Sequence, residues 1–101
     1  MSLYRLTPSA IDDIDQAISY LASQAGWTIA LKVEQELFGV FEKLATFPGL
    51  GHRRRDLTSL PLHFFPSEPY LVVYQRDTKP LLIHAVLHGA RDVADILSAR
   101  P

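Results

Sequence analysis

Apolar residues in this chain follow two different periods. Between Thr7 and Thr46 they recur every three or four positions, whereas from Leu62 to His88 they run almost continuously between turn residues. The first pattern predicts helices and the second predicts strands. Ile11, Ile14, Ile18 and Leu21 mark a helix that starts at Thr7-Pro8, an N-cap side chain followed by proline at the first helical position, and runs to about Gln24. Asp12, Asp13 and Asp15 crowd its first turns, where the helix dipole favours negative charge. Ala25-Gly26 supplies the stop. A second helix follows from about Trp27 to Thr46, with Ala30, Val33, Leu37, Val40, Leu44 and Phe47 as one stripe that Phe38 and Phe41 widen. Such a stripe suits a helix that touches both a helical neighbour and a sheet.

The strand signals lie on either side of these helices. Leu3 to Leu6 is a short strand, and Leu62 to Phe65 is another, bounded by Pro61 and Pro66. Tyr70 to Arg76 and Leu81 to His88 flank the turn residues Asp77-Thr78-Lys79-Pro80 and read as a β-hairpin. Arg91 to Ser98 closes the chain as a short helix. The order β-α-α-β-β-β(-α) predicts one α+β domain over residues 1–101. A helical hairpin packs on one face of a small, mostly antiparallel sheet; the other face is expected to be free and to offer a groove.

Composition narrows the class. Of 101 residues, 48% are hydrophobic and 21% charged, which favours a folded globule over a disordered chain. Without cysteine there is neither a disulfide framework nor a thiolate metal site, and without a long apolar run neither a signal peptide nor a membrane span is expected. The cytoplasm is then the default compartment. A net charge of −1 gives the whole molecule no long-range attraction for nucleic acid.

Candidate chemistry is sparse. His84 and His88 are four apart on a strand, roughly 13 Å at about 3.3 Å per residue, and cannot share one ion. No HExxH or similar ligand spacing occurs, so neither a metal site nor a cofactor is expected. His52, His63 and His84 read as structural. His88 stands where the last strand leaves the sheet and is placed either to act as a general acid or base or to hydrogen-bond the turn and Asp92. Gly49-Leu50-Gly51 lacks the lysine and hydroxyl of a P-loop, and no serine sits in a nucleophile elbow. The densest charge is His52-Arg53-Arg54-Arg55-Asp56, whose forked guanidiniums suit carboxylate or phosphate. Solvation alone, an acidic protein segment and nucleic acid all compete for that loop.

Several pieces together give a resemblance. They are Tyr4-Arg5-Leu6-Thr7 followed by Ala10 and Asp13, then Ile18-Ser19-Tyr20, and Phe47-Pro48-Gly49-Leu50-Gly51 before Arg53. Tyr70-Leu71-Val72-Val73-Tyr74 and, most distinctive, Val86-Leu87-His88-Gly89-Ala90-Arg91-Asp92 complete the set. In order and spacing the chain resembles the RelE/ParE superfamily of type II toxin-antitoxin toxins, and within it the ParE-like plasmid-stabilisation branch.

The resemblance implies a small toxin neutralised by a cognate ParD-like antitoxin, with which it can form hetero-oligomers. RelE-like members are ribosome-dependent mRNA endonucleases; ParE-like members poison DNA gyrase and are not known for chemistry of their own. Leu71 stands where a nuclease would most naturally carry an arginine, which favours the gyrase reading and leaves no catalytic residue assigned. As an RNase, the chain would rely on His88 as acid or base and on Arg76 or Arg91 for the phosphate. Contacts to target or antitoxin are expected at His52, Arg53, Arg54, Arg55, Arg76, His88, Arg91 and Asp92.

Overall fold

The computed structural model describes residues 3–100. Strand β1 (Tyr4–Leu6) leads into helices α1 (Pro8–Ala25) and α2 (Trp27–Thr46). A single 3-10 turn (Pro48–Leu50) precedes strands β2 (His52–Arg53), β3 (His63–Ser67), β4 (Tyr70–Gln75) and β5 (Leu81–His88), and helix α3 (Val93–Ser98) follows. The sheet has the order β1-β5-β4-β3-β2. Among the described residues only the β1–β5 pair is parallel, so the sheet is mostly antiparallel as expected.

Local chemistry explains the helix ends. Thr7 Oγ1 accepts from the Ala10 amide at 3.1 Å and donates to the His84 carbonyl at 3.2 Å, so the cap also ties α1 to β5. Gly26 separates the two helices with φ +91, a conformation that costs a side-chain-bearing residue about 1–2 kcal/mol. The inward face of α1 is Ala10, Ile14, Ala17, Ile18 and Leu21, while Ile11 is exposed. The predicted stripe was therefore rotated at its start. In α2, Ala30, Leu37, Phe41 and Leu44 are buried, but Phe47 lies past the helix end and is 60% exposed. Its φ of −127 takes it off the helical path and out of the stripe.

A first apolar cluster joins these helix faces to Tyr70, Val72, Tyr74, Leu81, Ile83 and Val86. The sheet face opposite the hairpin is not free. Leu62, Phe64, Val73, Ala85 and Leu87 form a second cluster there, covered by Val93 and Leu97 of α3 and flanked by Leu57, Leu71 and Ile96. The reason lies in the strands themselves: β4 and β5 are apolar at most positions instead of alternating, the pattern of strands covered on both faces. Open groove survives at the end of the sheet beyond α3 and in a smaller hollow between Leu62, His84 and Leu97.

Two further departures shape the surface. His52 and Arg53, expected in a loop, form an edge strand paired with Phe64 and His63. Because that pairing stops there, Pro66 inside β3 has no partner on its outer side, which is where a strand tolerates proline. On the other edge, β1 covers only Leu81 to Ile83 of β5. Beyond it, the Asp13 carboxylate accepts from the Val86 amide at 3.0 Å and Arg100 binds the same carboxylate at 2.6 and 2.9 Å. This pair closes part of an otherwise open edge. Among the described residues no helix is long and apolar enough to cross a membrane.

Candidate functional site

β5 delivers His88 to the end of the sheet, and the chain then turns sharply away. The Gly89 amide donates to the Pro69 carbonyl at 2.9 Å, and the Arg91 amide donates to the His88 carbonyl at 3.0 Å. The turn from β3 into β4 and the exit of β5 are thereby fastened to each other. His88 packs edge-on to Tyr70, with ring centroids 5.9 Å apart. Its Nδ1 accepts from the Ala90 amide at 3.1 Å, so the neutral ring carries its proton on Nε2, which is the nitrogen left for a partner. Asp92 does not bond to His88; it caps α3 by accepting from the Asp95 amide at 3.3 Å.

Two grooves meet at this histidine. The first, of about 610 Å³, runs over the sheet end on the α3 side and is lined by His52, Arg54, Phe64, Leu71, His88 and Gly89 among others. The second, of about 420 Å³, lies on the α1 side between Asp13, Gln16, Tyr20, Tyr70, His88 and Arg91. His88 is the ridge between them.

The basic loop is divided rather than gathered. His52 and Arg54 line the first groove, Arg53 donates to the Leu60 carbonyl at 3.4 Å, and Arg55 is exposed. Arg54 holds Asp56 through two hydrogen bonds of 3.0 and 2.9 Å, which raise the guanidinium pKa and lower that of the carboxyl. Both side chains face solvent, so this pair orients the arginine more than it stabilises the fold. Arg91 lines the second groove. Arg76 is at the other end of β4: Gln75 pairs with Leu82 and Tyr70 with His88, so six residue steps, roughly 20 Å at about 3.3 Å each, separate it from His88.

The remaining histidines take separate places. His84 is the extra residue of a bulge in β5 and shares a 3.2 Å hydrogen bond with Gln75, while burial lowers its pKa. His63 is lowered chiefly by burial and then by the nearby Arg76 and Arg53, and its buried Nδ1 has no partner. Both rings are neutral at pH 7. His52, expected to be structural, is instead exposed in the first groove. No three metal-ligating side chains cluster among the described residues.

Sequence reasoning did not single out Tyr20, Asp13 or Tyr70 as groove residues. Tyr20 carried a signal, an aromatic on the solvent face of α1 that is 64% exposed. Asp13 carried none, because its role depends on Val86 and Arg100, more than seventy residues away.

A helical hairpin on one face of a five-stranded, mostly antiparallel sheet, with a His-Gly-Ala-Arg-Asp exit at one end, is the α+β arrangement expected for the RelE/ParE type. A family model described as the ParE toxin of type II toxin-antitoxin system, parDE, matches residues 4–93, and the chain belongs to that family. The fold is similar to that in a solved structure of the chromosomal ParDE TA system from P. aeruginosa, with a TM-score of 0.68, 18% identity, and 84% of this chain and 92% of that chain covered. Comparison with curated proteins finds no match. The protein is thus a ParE-type toxin of a type II toxin-antitoxin system.

Proposed function

We propose that this toxin acts as a protein-binding poison of DNA gyrase and is held inactive by a ParD-like antitoxin in a hetero-oligomer. The observation that carries the reading, beside family membership, is that the cations an RNase would need do not converge on one groove: Arg91 shares the second groove with His88, Arg54 in the first is held by Asp56, and Arg76 is remote. Arg76 stands roughly 20 Å along the sheet from His88, and the groove wall beside His88 is the apolar Leu71. Phosphoryl-transfer chemistry in a nuclease depends on cations preorganised around one phosphate. A wide groove edged by His52, Arg54 and His88 over an apolar floor of Phe64 and Leu71 suits a protein surface better. Gyrase binding also implies a cytoplasmic site of action and no reaction catalysed by the toxin itself.

Purified toxin added to gyrase and relaxed plasmid should inhibit supercoiling, and prior incubation with the antitoxin should restore it. Undiminished supercoiling together with A-site mRNA cleavage that disappears in His88→Ala would overturn the proposal in favour of a ribosome-dependent endonuclease.

A further inference from the structure

A second basic cluster lies at the end of the sheet remote from His88. Arg5 of β1, Arg76 at the exit of β4 and Lys79 in the β4–β5 turn rim a cavity of about 640 Å³. Its floor is aliphatic: Leu3, Ala45, Pro48 and Leu81. None of the three cations has a carboxylate within ion-pair distance among the described residues; the two ion pairs present there are Arg54–Asp56 and Arg100–Asp13. Leu3 is 57% exposed.

We propose that this cavity docks an acidic peptide segment that carries an aliphatic side chain. Its carboxylates meet the Arg5, Arg76 and Lys79 rim while the aliphatic group fills the floor. Charge complementarity supports this occupant. The helical hairpin of α1 and α2 carries six carboxylates against two lysines, whereas this end of the sheet presents three cations against the single carboxylate of Asp77 in the same turn, so an acidic segment is steered towards it. Arginine forks favour carboxylate or phosphate alike, and the floor decides between them. No aromatic ring lines the cavity for a base to stack on, and a sugar-phosphate backbone laid across the rim would leave Leu3 wet. An aliphatic side chain flanked by carboxylates satisfies both parts.

The test uses the chain alone, so it is independent of gyrase. A fluorescein-labelled heptapeptide alternating glutamate and leucine is titrated with the toxin at low salt and followed by polarisation. Saturable binding is expected, weakened about tenfold or more in the double variant Arg76→Glu/Lys79→Glu, weakened in each of its two single variants, and unchanged in Lys32→Glu, a single charge reversal on the exposed face of α2. A peptide with serine in place of leucine should bind several-fold more weakly. Equal loss in Lys32→Glu, no loss in the double variant, or tighter binding of a single-stranded oligonucleotide of the same charge would each overturn the proposal. Circular dichroism of the variants confirms that any loss is not unfolding.

Discussion

Asp13 joins three separated parts of the chain. It projects from α1, accepts from the Val86 amide of β5 and from Nη1 and Nη2 of Arg100 beyond α3, with its own side chain 8% exposed. Removing the guanidinium leaves a nearly buried carboxylate with one backbone donor. Arg100→Ala should therefore cost about 1–3 kcal/mol in urea unfolding. Tyr74 is a similar case on the other side of the core: its hydroxyl donates to the Pro48 carbonyl at 2.6 Å and accepts from the Gly51 amide at 2.8 Å. A Cβ on Gly51 would lie 2.6 Å from that hydroxyl and 2.8 Å from the Phe64 carbonyl, so Gly51→Ala should lose about 1–3 kcal/mol by overpacking, read as a lower denaturation midpoint. Neither the Asp13 nor the Gly51 role is legible in sequence, since each depends on a partner brought close only by the fold. Thr7 and Gly26 were legible because capping and helix termination are decided within a few residues.

Histidine titration belongs to the same scale. The folded-state pKa values of His63 and His84 are lowered by burial, so below about pH 6.5, the ordinary histidine value, the unfolded chain binds protons that the folded chain does not. Stability is retained above that pH and falls as the solution is acidified through and below it. Thermal melts from pH 7.5 to 5 should show a declining midpoint, and the double variant His63→Gln/His84→Gln should show a shallower decline.

At the level of elements, α3 is the piece whose role the sequence understated. Six residues long, it was visible as an apolar cluster after the His-Gly-Ala-Arg-Asp turn, but the sheet face it covers was expected to be free. The near-continuous apolar runs of β4 and β5 carried the information that both faces are covered. Leu97 of α3 packs into that second cluster with Leu62, Phe64 and Val73. Leu97→Ala should cost about 2–5 kcal/mol, at the lower end because Leu97 is 7% exposed, and should increase binding of a hydrophobic dye. The helices and the hairpin were predicted nearly to the residue because their periodicity is local, while β2 was hidden in a charged loop and is defined only by pairing with β3.

Taken as a whole molecule, the toxin separates its charged features. His88 and Arg91, with His52 and Arg54, gather at one end of the sheet; Arg5, Arg76 and Lys79 gather at the other; the acidic hairpin covers one face between them. Candidate residues were recognisable as types, but their division between two ends follows from strand register, which one sequence does not display. Arg76 is thereby kept from His88, and Arg54 and Arg91 lie in different grooves on either side of it, which favours a binding toxin over a nuclease. The most direct measurement is gyrase cleavage-complex trapping, in which toxin, gyrase and supercoiled plasmid are incubated and then treated with detergent and protease. Linear plasmid should accumulate in proportion to toxin and be suppressed by the antitoxin; no linear product and full gyrase activity at saturating toxin would contradict the account.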